Sequence, residues 1–110
     1  MRKITLLAFL AAAASVAAGA ARADTAANWG QYCASCHGKD GAGKTRAGRL
    51  LGAKDLTDAA YQKTFTDEQA FKDVKDGLTA DGKTKMRPIG DKLSDDEIKA
   101  LVTFVRGLQK

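Results

Sequence analysis

Cys33-Ala34-Ser35-Cys36-His37 holds both cysteines and the one histidine of this 110-residue chain. The residues before it, from Asn28, read as a short helix running through His37, with Trp29 and Cys33 at i and i+4. A thioredoxin-like dithiol needs a βαβ scaffold, and no run here alternates with period two for long enough to predict a strand. A structural zinc site needs four Cys or His ligands, whereas the chain offers three. C-x-x-C-H also reads as a covalent haem attachment. Two residues between the thiols let both sulfurs reach the two vinyl groups on one porphyrin edge, and the adjacent His37 places its imidazole beneath the iron. A small exported dithiol of other use is the remaining alternative.

The N-terminus sets the compartment. Arg2 and Lys3 precede an apolar run from Ile4 to Ala21, and Ala21-Arg22-Ala23 puts small residues where a signal peptidase reads. Residues 1–23 are therefore expected to be a cleaved signal peptide, leaving 24–110 as one domain in the periplasm. An uncleaved membrane anchor is the rival reading, but the run is short for a span and rich in weakly hydrophobic alanine. Three of the 18 Lys and Arg leave with the signal, so 15 remain against 13 Asp and Glu and the net charge falls from +5 to +2. Such a small, interspersed excess does not describe a nucleic-acid binder.

A domain this short buries a modest core and commonly leans on disulfides, metals or cofactors. Two cysteines in one motif cannot tie distant parts together, which leaves a buried cofactor. Farther along, Gly38 to Gly52 carries five glycines and reads as a long irregular loop. Thr66 with Gln69 signals a helix start, Ala70, Phe71, Val74 and Leu78 continue at helical spacing, and Gly77 stops it, predicting a helix over 67–76. Residues 79–93 return to loop composition around Met86, with Gly82, Pro88 and Gly90. Ser94 with Glu97 opens a last amphipathic helix through Ile98, Leu101, Val102, Val105 and Leu108. The fold class is all-α, with long loops.

Met86 is the one methionine beyond the signal segment, 49 residues after His37. A core-filling methionine belongs on the apolar face of a helix. Met86 lies instead between Lys85 and Arg87 in a loop, which favours a second axial ligand over packing. A neutral thioether favours ferrous iron, and two protein ligands close the metal to substrates. That combination predicts electron transfer rather than an enzyme or sensor with an open iron site.

With these residues in place, the chain from 24 onward resembles a class I cytochrome c of the small bacterial type. Trp29, four positions before the first cysteine, matches that family's aromatic, and Leu101 with Phe104 matches the pair on its C-terminal helix. The resemblance implies N- and C-terminal helices that cross, a shorter central helix and long loops wrapped around one haem. It further implies that Gly48-Arg49-Leu50-Leu51-Gly52 stands for a proline-bearing family segment, with the Arg49 carbonyl accepting the His37 ring N–H and Leu51 packing on the haem. Arg49 replaces the family's proline, and Arg87 separates Met86 from Pro88 where the family commonly has none.

The site residues expected from the sequence are thus Cys33 and Cys36 for covalent attachment of one haem c, His37 and Met86 for its iron, and Leu51 for packing. The expected protein is a monomeric carrier that binds no nucleic acid, has no membrane anchor after cleavage, and meets redox partner proteins through Lys83, Lys85 and Arg87. A permanent electron-transfer subunit of a larger dehydrogenase is the alternative.

Overall fold

The structure, a computed structural model, describes residues 24–110, so the expected signal peptide lies outside the described residues. Helix α1 occupies residues 24–32 and is followed by α2 (Ala34–His37), α3 (Arg46–Leu51), α4 (Ala59–Gln62) and α5 (Asp67–Asp76). A hairpin of β1 (Leu78–Ala80) and β2 (Lys83–Met86) then leads to α6 (Asp95–Arg106). The helix expected at 67–76 is present, capped by the Thr66 hydroxyl accepting the Gln69 N–H. Ser94 and Glu97 close the complete capping box of α6. The single helix expected from Asn28 to His37 is broken at Cys33 into α1 and α2.

The core forms where the two end helices meet. Ile98 and Leu101, 0% and 2% exposed, pack with Trp29, Cys33, Leu56 and Leu93. Phe104 sets its ring 5.1 Å from the Trp29 ring, and the Asn28 amide donates to Glu97 across the same crossing. Leu101 and Phe104 therefore cross the N-terminal helix as the family resemblance implies. At the other end of α6, Arg106 donates to the Gln62 carbonyl (2.5 Å), the Phe65 carbonyl (2.8 Å) and Asp67 (2.7 Å), and stacks over the Phe65 ring. Gln62, 3% exposed, is a buried amide whose Nε2 donates to the Leu56 and Val105 carbonyls. A buried amide with this many partners repays its desolvation and fixes α4 to the end of α6.

Two expectations fail. Gly38 to Gly52 is not all loop, because Thr45 caps α3 through the Gly48 N–H and Gly52 ends it in the left-handed region. Gly48 is needed there for space, since a Cβ would overlap the Cys36 carbonyl oxygen and come within 2.7 Å of the Gly43 carbonyl. The residues around Met86 are not all loop either. Asp81 and Gly82, with φ of 55° and 73°, form the two-residue turn that matches strand twist in a hairpin. The fold class remains all-α, with this one small ribbon added.

Candidate functional site

Between the Cys33–His37 segment and the hairpin lies a cleft of about 410 Å³. Cys33, Cys36, His37, Leu51 and Met86, all expected from sequence, line it together. Each is positioned by a local device. His37 ends α2, where its carbonyl accepts from the Gly43 N–H, and the Cys36 carbonyl accepts from the Thr45 hydroxyl at 2.7 Å. Both bonds clamp the loop and α3 beneath the cysteine segment. Trp29 backs His37 at 5.9 Å between ring centroids and donates its Nε1–H to the Gly38 carbonyl.

Met86 is held from the other side. It pairs with Leu78 at the base of the hairpin, while Thr79 pairs with Thr84, so Lys85 is the extra residue in the ladder. Such an irregularity re-aims neighbouring side chains. Gly77 permits the tight approach, because a Cβ there would stand 2.6 Å from the Met86 carbonyl and 2.9 Å from the Pro88 nitrogen. Beyond Met86, the Ile89 and Gly90 N–H groups donate to the Val74 and Lys75 carbonyls, pinning the segment to the end of α5.

The electrostatics separate the candidate chemistries. Burial, and then the neighbouring Cys36, push the Cys33 thiol up to about 11. A redox dithiol works through a lowered thiol pKa, and Cys33 departs in the opposite direction. Burial pushes His37 below the usual imidazole value and keeps it neutral, the form that ligates a metal. Among the described residues no group of three or more His, Cys, Asp or Glu is placed to hold a metal ion.

His37 Nδ1 is buried without a hydrogen-bond partner among the described residues. The Arg49 carbonyl therefore does not accept the ring N–H as the resemblance implies; Arg49 lies within α3, where its carbonyl is aligned with the helix axis rather than set in an open loop. Leu51 lines the cleft but remains partly open to solvent, and Leu50 beside it is 74% exposed. Lys85 and Arg87 line the cleft, whereas Lys83 stands exposed outside it. Leu56, Tyr61, Leu78 and Ile89 also line it and were not foreseen as site residues.

A neutral imidazole, a thioether, two thiols and an apolar lining fit an iron porphyrin. A family model described as cytochrome c oxidase, cbb3-type, subunit III matches residues 20–105. The chain belongs to this c-type cytochrome family. It accordingly carries haem c, covalently bound with its iron, and works in electron transfer. The solved structure of the KustC0563 c-type cytochrome is similar, at 36% identity and a TM-score of 0.66 over 77% of this cytochrome and 96% of that chain. A tyrosine-to-phenylalanine mutant of Kustc0563 gives 36% identity and a TM-score of 0.65 over 78% and 99%. No curated protein matches the cytochrome. No helix among the described residues is long and apolar enough to cross a membrane.

Proposed function

We propose that this cytochrome is a periplasmic carrier of single electrons, with Cys33 and Cys36 in thioether linkage and His37 and Met86 as axial ligands. The observation that carries the reading is the convergence of these four side chains, from two distant segments of the chain, on one cleft. Bound haem supplies an iron that alternates between ferric and ferrous states. His37 binds through a neutral ring, and Met86 contributes a soft sulfur that favours the ferrous state. Leu56, which is buried, and Ile89, which is half-buried, would shield the bound haem from water on their side of the cleft and so disfavour the more highly charged ferric state. With both axial positions filled, no substrate reaches the metal, and the protein is a carrier rather than an enzyme. The N-terminal segment supports export with cleavage after Ala23, which N-terminal sequencing of the mature protein checks directly.

The deciding experiment is Met86→Ala. The ferric wild type should show a sulfur-to-iron charge-transfer band; the variant should lose it, fall in reduction potential and bind carbon monoxide readily when reduced. A band that survives, or a wild type that lacks one, assigns the sixth position to another group.

A second reading, a permanent subunit of a larger redox complex, is supported by the oxidase subunit named in the family description and by the exposed Leu50, Leu51 and Leu78 near the cleft. Size-exclusion chromatography of the native protein separates the two, since a free carrier elutes as a monomer.

A further inference from the structure

Two glycines bracket Met86 at the end of α5. Gly77, where the helix stops with φ of 80°, would set a Cβ 2.6 Å from the Met86 carbonyl and 2.9 Å from the Pro88 nitrogen. Gly90, on the other side of Met86, leaves no more room, since a Cβ there would stand 2.9 Å from both the carbonyl oxygen and the Cγ of Lys75. Three of these four neighbours are main-chain atoms, which cannot swing aside as a side-chain tip can. The Lys75 side chain is itself engaged, with Nζ 3.1 Å from Asp95 and 5.7 Å from the centre of the Phe71 ring.

Between the two close approaches lie two hydrogen bonds, from the Ile89 N–H to the Val74 carbonyl (3.0 Å) and from the Gly90 N–H to the Lys75 carbonyl (3.1 Å). Val74 and Ile89 both pack on the core, so this contact is anchored to the rigid part of the molecule. Gly82 at the hairpin tip is the contrast: nothing lies within 4 Å of a Cβ there, and the turn alone accounts for it. Gly90 has no turn to account for it, because its φ lies outside the left-handed region. What alanine lacks at position 90 is space.

We propose that Gly77 and Gly90 are positioning residues for Met86. By letting residues 86–90 lie a side-chain carbon closer to residues 74–77, they set how far Met86 reaches into the cleft. The inference rests on Met86 being the second axial ligand, as read above. A Cβ at either glycine pushes the segment off the end of α5 and draws Met86 back with it, while the crossing of α1 and α6 stays as it is.

The test uses the holoprotein with Gly90→Ala, and Val102→Ala as a control for lost stability, because Val102 is buried on α6 outside the cleft lining. Imidazole can bind the ferric iron only when Met86 leaves it, so an overlap relieved by that departure favours imidazole. Gly90→Ala should bind it about tenfold more tightly than wild type, and in Val102→Ala the affinity should be unchanged. On heating, the sulfur-to-iron band of Gly90→Ala should fade well before the helical circular dichroism, whereas in Val102→Ala the two should fall together. A second measurement needs no variant. Coupling between two sites is reciprocal, so imidazole added to the wild type should speed hydrogen exchange at the Ile89 and Gly90 amides and leave α6 unchanged. Wild-type affinity in Gly90→Ala, an equal gain in Val102→Ala, or unchanged exchange at both amides overturns the assignment. A wild type without its sulfur-to-iron band marks failure of the ligand reading beneath it instead.

Discussion

The crossing of α1 and α6 and the hairpin that carries Met86 are built on opposite terms. At the crossing, Ile98, Leu101 and Trp29 are buried against one another and the helix start is fully capped. In the hairpin every residue of β1 is exposed, Leu78 at 43%, and a two-stranded ribbon by itself is marginal in water. One region is a core made by the protein. The other is half of a core that, on the proposed reading, the porphyrin completes.

Removal of the haem tests that contrast most severely. Cys33→Ala combined with Cys36→Ala, isolated without haem, should lose the cooperative thermal transition of the holoprotein. Any residual amide protection should lie in α1 and α6. A transition with an unchanged midpoint, or hairpin amides protected as well as those of α6, would erase the distinction.

Next in size is a paired truncation. Leu101→Ala should cost about 2–5 kcal/mol in denaturant unfolding, the range for deleting a buried leucine side chain. Leu78→Ala should cost far less in protein lacking haem and distinctly more in the holoprotein, where the leucine gains a partner. Equal costs at the two positions in the haem-free protein would refute the comparison.

Acid titration probes the crossing alone. The Ser94 backbone N–H, then the Ser94 hydroxyl and the Asn28 amide, hold the Glu97 carboxyl below the usual carboxylate value. Its contribution is complete above the unfolded-state pKa and fades as pH drops through the lower folded-state value. Stability should therefore decline on acidification by more in wild type than in Glu97→Gln. Parallel curves for the two proteins would show that the capping box adds no pH dependence.

The smallest effect concerns the rim. Lys83→Glu with Lys85→Glu should slow bimolecular electron transfer at low salt, and the difference should shrink as salt rises, because exposed charges are screened within roughly 8 Å at physiological ionic strength. Identical rates at low salt would leave the cluster as a solvated edge of the hairpin.

The two regions also differed in how far sequence exposed them. The crossing was legible because Ser94, Glu97 and the spacing from Ile98 to Leu108 encode a helix locally, and the cysteine segment of the cleft was legible because two thioethers on one porphyrin fix the Cys33–Cys36 spacing. The hairpin was hidden by length: three and four residues are too few for alternation to show, although Asp81-Gly82 is a hairpin turn signal in its own right. Helix α3 was obscured by glycines that read as loop. Gly48 is there because of the Cys36 carbonyl above it, a tertiary cause that no local pattern carries. Nothing in sequence marks Tyr61 or Gln62, whose surroundings come from segments far along the chain.

Gln62 and Arg106 meet across 44 positions of sequence, and the one guanidinium gathers the Gln62 and Phe65 carbonyls, the Gln62 side-chain oxygen and the Asp67 carboxylate. A contact that distant brings little reward until the intervening loop has closed, so it belongs late in assembly. Interactions absent from the folding transition state govern the rate of escape from the native state rather than the rate of arrival. Arg106 is thus a brake on unfolding: replacing it with Lys, which keeps the charge and loses the planar fork, should leave the folding limb of the chevron in place and raise the unfolding limb.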